Sequence, residues 1–388
     1  MTRFLDLLSE QARIINNDPE DKLRPLEEWR EIFNQAQDHL MANIEQLAPD
    51  VAVSARHALK RGKKRRLRET RHNERAHLKK LGVGFRQLND AITLADALNR
   101  DIFDAFGAWL QDKDTNEVAA SQLGHPEVAG GPAVRVLTSL GLHARSCTLA
   151  SEVILLAQRG FTEGAHSRAR SLYELATIVA FLSIKDSHPF ELTERYSLSG
   201  MVEARRDHQS MGAEDPFEDV PGLEDAIRTT WGDSYFKPYG WAIPGVGDGT
   251  AKQVTFRDIE KALGTDHLRH AYLTMNHAVH AGAGAIMQRY DTRHPYRNPS
   301  GSTVDHYGVA WVLAATAHLF QGVQIPLLLE IAPLLGAEME LMLGPLGNLC
   351  EASKSYFESY VASLNAPPAD PQQSPEGEQL GGQTKQPG

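Results

Sequence analysis

The sequence predicts an all-α protein, a multi-helix bundle with a basic N-terminal helical unit and a disordered C-terminal tail. Strand-type alternation of apolar and polar residues is nearly absent, whereas apolar residues recur at the 3.6-residue spacing of an amphipathic helix through most of the chain. The tail from Ala366 onward is rich in Pro, Gln and Gly, and such a composition cannot bury a core. Together these observations favour helices packed on helices.

Composition narrows the class of protein. With 388 residues, 41% of them hydrophobic and 23% charged, the chain is an ordinary globular sequence, long enough for about two domains. Its net charge of −10 gives no overall attraction to nucleic acid or to an anionic membrane, so any such binding must be local. Only Cys147 and Cys350 are present, which excludes a disulfide framework and a paired-cysteine metal site. Because the N-terminus also lacks an apolar signal segment, we expect a cytoplasmic protein.

The chain divides into four predicted segments. We expect an N-terminal helical unit over residues 1–111, a linker over 112–133, a helical bundle over 134–365 and a disordered tail over 366–388. The linker assignment rests on a polar stretch that ends in Gly-Gly-Pro, a typical loop composition.

Helices follow one another through the N-terminal unit and the bundle. An amphipathic helix over 26–47 and an apolar stripe that begins at Phe85 belong to the first unit. In the bundle, Gly160 ends one helix and a short connection leads to the next, so the two should pack antiparallel. Thr255 and Asp258 resemble a capping box. The predicted bundle helices span residues 134–159, 163–185, 191–211, 303–320, 326–343 and 347–364.

One stretch, 308–329, carries no formal charge over a length that could span a bilayer. His318, Gln321, Gln324 and Pro326 interrupt it, and spanning helices rarely bury two amides and a histidine without partners. We therefore expect a pair of core helices here and no membrane.

The most charged segment of the chain runs from Arg56 to Lys80. It contains twelve Lys and Arg residues against Glu69 and Glu74, a local formal charge of +10. Such a concentration of positive charge is typical of a segment that binds nucleic acid or another polyanion. It is equally typical of a solvated helix or of one docked on the chain's own acidic surface. The predicted nucleic-acid contacts are Lys60, Arg61, Lys63, Lys64, Arg65, Arg66 and Arg68.

Arg71 and His77 lie in the same segment with five residues between them. This spacing resembles the Arg-x(4–6)-His motif of HEPN ribonucleases, helical proteins that cut RNA without a metal. The resemblance implies that His77 is the acid–base group and that Arg71 stabilises the charge developing on the phosphate. A segment this rich in Arg and His also produces such a spacing by chance.

Charges at core-facing positions indicate a second candidate site. Glu152 lies between apolar residues of one bundle helix, and Arg170 and Glu174 are one turn apart on the next. We expect these three residues to form a buried polar cluster, which either fixes the register of the two helices or binds a ligand.

The helix predicted from Asp266 adds a polar stripe, on which Tyr272, Asn276 and His280 share one face. Several histidines occur nearby, two pairs of them at i,i+3 spacing. No carboxylate or cysteine lies at a convincing ligand spacing, so we expect no metal and no cofactor.

Three stretches together resemble the bacterial domain-of-unknown-function family numbered fifty-six seventy-seven. They are EVILLAQRGFTEGAHSRARSLYELATIVAFL, YGWA and FRDIEKALGTDHLRHAYLTMNHAVHAG, and the resemblance extends over about residues 134–343. It implies an all-helical domain of unestablished function. The positions that match the family pattern are Gly160, Ala165, Arg170, Leu172, Glu174, Tyr272, Asn276, Val279 and His280.

The family pattern joins residues that are about a hundred positions apart. We therefore expect Arg170 and Glu174 to meet Tyr272 and His280 in space. The aromatic loop that precedes the last two residues should cover this cluster as a lid, formed by Trp231, Tyr239 and Trp241.

The leading functional hypothesis is a non-catalytic interaction module, which binds nucleic acid or a protein partner through the segment from Arg56 to Lys80, in a stress or phage-defence setting. The alternative is a HEPN-like, metal-independent ribonuclease. Its catalytic residues would be either Arg71 with His77 or the cluster of Arg170, Glu174, Tyr272 and His280.

Overall fold

The computed structural model describes residues 49–112, 121–125, 128–186, 190–212, 214–215, 217–218, 220–279, 302–335 and 341–365. These residues form helices joined by turns and irregular segments, with no strand among them, which confirms the predicted all-α class. The chain divides into two compact units, Met1–Arg68 and Glu69–Gly388. The predicted helix over 26–47 and the predicted tail over 366–388 lie outside the described residues.

The first described helix, α1 (Pro49–Asp112), is continuous and includes the division between the units. The linker over 112–133 stays a prediction. The division between the units falls between Arg68 and Glu69. The reason is the apolar stripe of α1, because Leu81, Phe85 and Leu88 are buried in the core of the second unit. The stripe is therefore covered by the bundle.

Helices α2 (Gly131–Gln158) and α3 (Thr162–Lys185) begin the bundle, close to their predicted bounds. Only three residues connect them. Gly160 in this connection has a positive φ of 81°, and a Cβ at this position would lie 2.3 Å from the carbonyl oxygen of Thr303. Only glycine therefore allows the connection to lie against the segment that leads into α8.

The middle of the second unit contains α4 (Glu191–Met211), α5 (Leu223–Trp231), α6 (Phe256–Leu263) and α7 (Arg269–Asn276). Helix α4 has the predicted bounds. The predicted capping box at the start of α6 is confirmed, since the side chains of Thr255 and Asp258 each accept a hydrogen bond from the other residue's backbone amide. Three short 3-10 helices occur between these elements, over Asp233–Phe236, Gly240–Gly245 and Asp266–Leu268.

The unit ends with α8 (His306–Leu335) and α9 (Leu343–Asn365). The predicted break between 320 and 326 is wrong, because α8 continues through Pro326. This proline supplies no amide for the carbonyl four residues earlier, but the surrounding turns are held by burial of Val323, Leu327 and Leu328. The buried Gln324 donates to the Ser146 hydroxyl of α2 at 2.6 Å.

Two described helices are long and apolar enough to cross a membrane on length and composition alone. They are Gly131–Gln158 and His306–Ile331, and 56% of the apolar window of each is buried within the protein. A core helix of a soluble protein meets the same criterion, so this finding is weak evidence for a membrane.

Candidate functional site

A polar cluster joins α3 to α7. The Arg170 guanidinium donates from Nη2 to Glu174 Oε1 at 2.8 Å and to the Tyr272 hydroxyl at 3.0 Å. The Tyr272 hydroxyl in turn donates to Glu174 Oε1 at 3.1 Å. Each of the three residues therefore contacts the other two, and the structure places together three of the four residues that the family pattern joined.

A second ion pair lies beside this triangle. Glu260 of α6 is fully buried, accepts a hydrogen bond from the Tyr173 hydroxyl at 2.9 Å and pairs with Arg269 of α7. Neither Tyr173 nor Glu260 was predicted as a cluster residue. Glu260 directly follows the buried Ile259, and no spacing motif marks it as the one carboxylate of α6 that faces inward.

Aromatic rings surround the two arginines. The guanidinium carbon of Arg170 lies 5.2 Å from the centroid of the Tyr272 ring, and that of Arg269 lies 5.7 Å from it. The Tyr173 and Phe256 rings lie 5.3 and 5.7 Å from that of Tyr272. The cluster is thus a packed set of guanidinium–aromatic and hydrogen-bonded contacts, which holds α6 and α7 against α3.

Two members of the cluster, Arg170 and Tyr173, keep one charge state near neutral pH. Burial acts to lower the pKa of Arg170, but the hydrogen bond with Tyr272 and the charge of Glu174 outweigh it and raise the pKa. Burial raises the pKa of Tyr173, and the hydrogen bond to Glu260 raises it further. Arg170 thus stays charged and Tyr173 stays protonated, so the two serve as fixed hydrogen-bonding groups.

Other residues predicted for this cluster lie elsewhere or make no contact with the triangle. Glu152 pairs with Arg168 at 3.1 Å instead of Arg170, and its side chain is 38% exposed. The reason is that Arg168 and Arg170 lie about 200° apart around α3, so they face opposite sides of the helix. Asn276 follows Tyr272 by one turn on α7, is half-buried, and has no hydrogen bond to its Oδ1. His280 lies outside the described residues.

The three aromatic residues expected to form a lid have different surroundings. Trp231 is buried against the guanidinium of Arg195, whose centre is 4.9 Å from the indole. Trp241 is buried edge-on against Phe181, within the core. Both tryptophans thus belong to the core. Tyr239 borders the cluster, with its ring 6.2 Å from that of Phe256.

Tyr239 has the backbone conformation that favours glycine, with φ of +55°, and is 37% exposed. Burial raises its pKa, and the negative charge of Glu174 adds to that shift. A bulky residue in the left-handed region is strained, and such strain is common beside functional sites. Tyr239 is therefore the exposed aromatic group at the edge of the cluster.

The pair with the HEPN-like spacing separates in the structure. Arg71 is exposed, whereas His77 is completely buried. The Nδ1 atom of His77 lies 3.1 Å from the Gln158 carbonyl oxygen, and Nε2 accepts from the Asp305 amide at 3.3 Å. Burial lowers the pKa of His77, although its bond to Gln158 opposes the shift. Both ring nitrogens are bonded to the backbone, so this geometry favours a structural role.

The predicted nucleic-acid contacts all lie on the part of α1 that belongs to the first unit. Each of these seven side chains is exposed: Lys60, Arg61, Lys63, Lys64, Arg65, Arg66 and Arg68. Successive residues of a helix are rotated by about 100°, so seven cations within nine positions extend around most of its circumference. We call this segment, Lys60–Arg68, the basic segment.

In the part of the chain that the structure describes, no three His, Cys, Asp or Glu side chains are grouped so as to hold a metal ion. Comparison with curated proteins and with solved structures finds no match. A family model does match. It is described as a family of unknown function (DUF5677) and covers residues 137–295, which include Arg170, Glu174 and Tyr272. The resemblance inferred from the sequence is therefore confirmed: residues 137–295 match the family of unknown function DUF5677.

Proposed function

We propose that this protein is a non-catalytic interaction module that binds nucleic acid through the basic segment, Lys60–Arg68. The observation that supports the proposal is the exposure of seven cationic side chains within nine consecutive helical residues. No acidic residue interrupts these nine positions. We further propose a cytoplasmic setting, in stress response or phage defence. The two free, buried cysteines suit a reducing compartment.

The local positive charge of the basic segment favours a phosphate backbone as the partner. The whole chain has a net charge of −10, so attraction to a polyanion must come from a local excess of Lys and Arg. Each cation that neutralises a phosphate releases condensed counterions, and this gain does not depend on base sequence. A helix with cations around most of its circumference can contact the phosphates on both sides of a groove.

The direct test is binding of labelled single-stranded RNA and duplex DNA by fluorescence anisotropy. We expect the variant with Lys60, Lys63, Lys64 and Arg68 all changed to Gln to bind about 10–100-fold more weakly than the natural chain, because four phosphate contacts are lost. The matched control changes four exposed cations of the second unit, Arg145, Lys252, Arg257 and Lys261, to Gln. Equal affinity of both variants would contradict the proposal, and binding of an acidic protein but no nucleic acid would replace it.

The second candidate function is metal-independent RNA cleavage of the HEPN kind. The observation that favours it is the contact of the Arg170 guanidinium with a hydroxyl and a carboxylate, since an arginine beside such groups can stabilise a phosphate during transfer. Arg71 with His77 is the less favoured pair, because His77 is buried. Cleavage of labelled RNA in the presence of a chelator, lost in Arg170→Gln and retained in Arg168→Gln, would establish this function in place of simple binding.

A further inference from the structure

Residues 302–306 are tied to α1 by hydrogen bonds from three of its residues. Asn73 donates to the Ser302 hydroxyl at 3.0 Å. The carbonyl oxygen of Ala76 lies 3.3 Å from His306 Nε2, and His77 Nε2 accepts from the Asp305 amide at 3.3 Å. We call residues 302–306 the docked segment, because these bonds connect it to α1; its last residue, His306, begins α8.

The neighbouring backbone groups determine the tautomer of His77. A peptide amide only donates and a carbonyl only accepts. Nε2 must therefore carry the lone pair that accepts from Asp305, and Nδ1 must carry the proton donated to Gln158 at 3.1 Å. Both contacts are made by the neutral imidazole with its proton on Nδ1.

A second proton on His77 is incompatible with this arrangement. It would bind Nε2 and point at the Asp305 N–H, so two donors would face each other. His77 has 0% exposure, so solvent does not reach the new charge in the docked state. The ring of His306 lies 5.3 Å away and edge-on, and offers no negative charge.

Charged groups on the neighbouring elements provide little compensation. On α1 itself, Glu74 pairs at 3.2 Å with Arg159, which directly follows α2. The docked segment contributes His306 and Asp305, whose carboxylate accepts from the Gly308 amide at 2.9 Å. On α3 the nearby titratable groups are His166 and Glu163. His166 interacts electrostatically with both Asp305 and Glu163. Burial lowers the pKa of His77 more than Asp305 raises it.

We propose that His77 is a proton-operated latch, which in its neutral form holds the docked segment against α1 and on protonation releases it. The latch stays closed at neutral pH and opens as the pH falls below the ordinary histidine value. Because one proton is involved, the opening equilibrium rises by up to about tenfold per pH unit.

Amide hydrogen exchange of the full chain tests the latch. We expect the protection factors of Thr303 and Asp305, corrected for intrinsic exchange, to be constant above pH 7 and to fall between pH 6.5 and pH 5. In His77→Gln the side-chain oxygen can still accept from Asp305 but no longer titrates, so most of this fall in protection should disappear. His72→Gln changes an exposed histidine five residues earlier on α1 and should behave like the natural chain.

A spectroscopic measurement keeps the test decisive if His77→Gln fails to fold. Imidazole ¹⁵N shifts of the natural chain should show the proton of His77 on Nδ1 at pH 7.5, and a titration midpoint below 6.5, the ordinary value. A proton on Nε2, a midpoint at the ordinary value, or a loss of protection on acidification that is as large in His77→Gln as in the natural chain would each overturn the proposal.

Discussion

The Tyr272 hydroxyl of α7 lies 3.0 Å from Nη2 of Arg170 on α3, although 102 residues separate the two in sequence. The same hydroxyl donates to Glu174. It is thus both acceptor and donor within one triangle, and removing it leaves the Arg170–Glu174 pair of α3 in place.

Tyr272→Phe should destabilise the second unit by about 1 kcal/mol, because two hydrogen bonds are lost while the ring contacts with Tyr173 and Phe256 remain. Urea unfolding followed by circular dichroism measures the change in the free energy of unfolding. The matched control is Tyr307→Phe, at a residue that is 47% exposed. If the two variants have the same stability, the triangle does not hold α7 to α3.

Glu260→Gln should destabilise the second unit by about 2 kcal/mol, more than Tyr272→Phe does. It removes the fully buried carboxylate that pairs with Arg269, whose own side chain is 28% exposed and so keeps some solvation. Thermal unfolding at pH 7.5 provides the comparison. Glu203→Gln alters an exposed carboxylate on α4 and should leave the melting temperature unchanged. A melting temperature for Glu260→Gln equal to that of this control would rule out a stabilising ion pair at Glu260.

Gly84→Ala should loosen the packing of α1 on α9. A Cβ at this position would lie 2.7 Å from the rings of Phe357 and Tyr356, so side chains or backbone must shift, at a cost of about 1–3 kcal/mol. Gly107→Ala, on the same helix with no neighbouring atom within 4 Å, should instead stabilise the chain, by about 0.5–1 kcal/mol. Urea unfolding should therefore show a lower free energy of unfolding for Gly84→Ala and a higher one for Gly107→Ala. Stabilisation by both changes would contradict close packing of α1 on α9 at Gly84.

Acid should destabilise the second unit through His143. Its Nε2 lies 2.7 Å from the Ala95 carbonyl oxygen and its Nδ1 is buried without a partner. Burial lowers its pKa below the ordinary 6.5. The unfolded chain therefore takes up the proton first as the pH falls, so stability is constant above about pH 7 and declines below 6.5, by up to about 1.4 kcal/mol per pH unit.

Urea unfolding between pH 7.5 and 5.5 measures this decline. The slope should be smaller in His143→Gln than in the natural chain. His318→Gln, which removes an exposed histidine from α8, should leave the slope unchanged. Equal slopes for the natural chain and His143→Gln would show that His143 titrates normally.

Much of the fold could be predicted from the sequence, because its signals are local. The bounds of α4 and the capping box of α6 follow from residues close in sequence. The continuity of α8 through Pro326 could not be predicted, because burial of the neighbouring turns depends on helices far away in the chain. The division within α1 was missed for the same reason, since the bundle that covers the Phe85 stripe comes later in the sequence.

The candidate site shows the same limit. The meeting of Arg170 and Glu174 with Tyr272 could be predicted because a family pattern linked them. Glu152 and Arg168 could not be paired in advance, because the sequence does not say which of the two arginines of α3 faces α2. The buried environment of His77 depends on residues 302–306, more than 220 positions away by sequence number.

The salt dependence of nucleic-acid binding tests the central proposal most directly. If the seven cations of Lys60–Arg68 each neutralise one phosphate, a plot of log affinity against log salt concentration should have a slope of about −6 for duplex DNA and about −5 for a single strand. Changing Lys60, Lys63, Lys64 and Arg68 to Gln should make the slope less negative by about 3–4. A slope near zero, or one that these four changes leave unaltered, would contradict nucleic-acid binding through the basic segment.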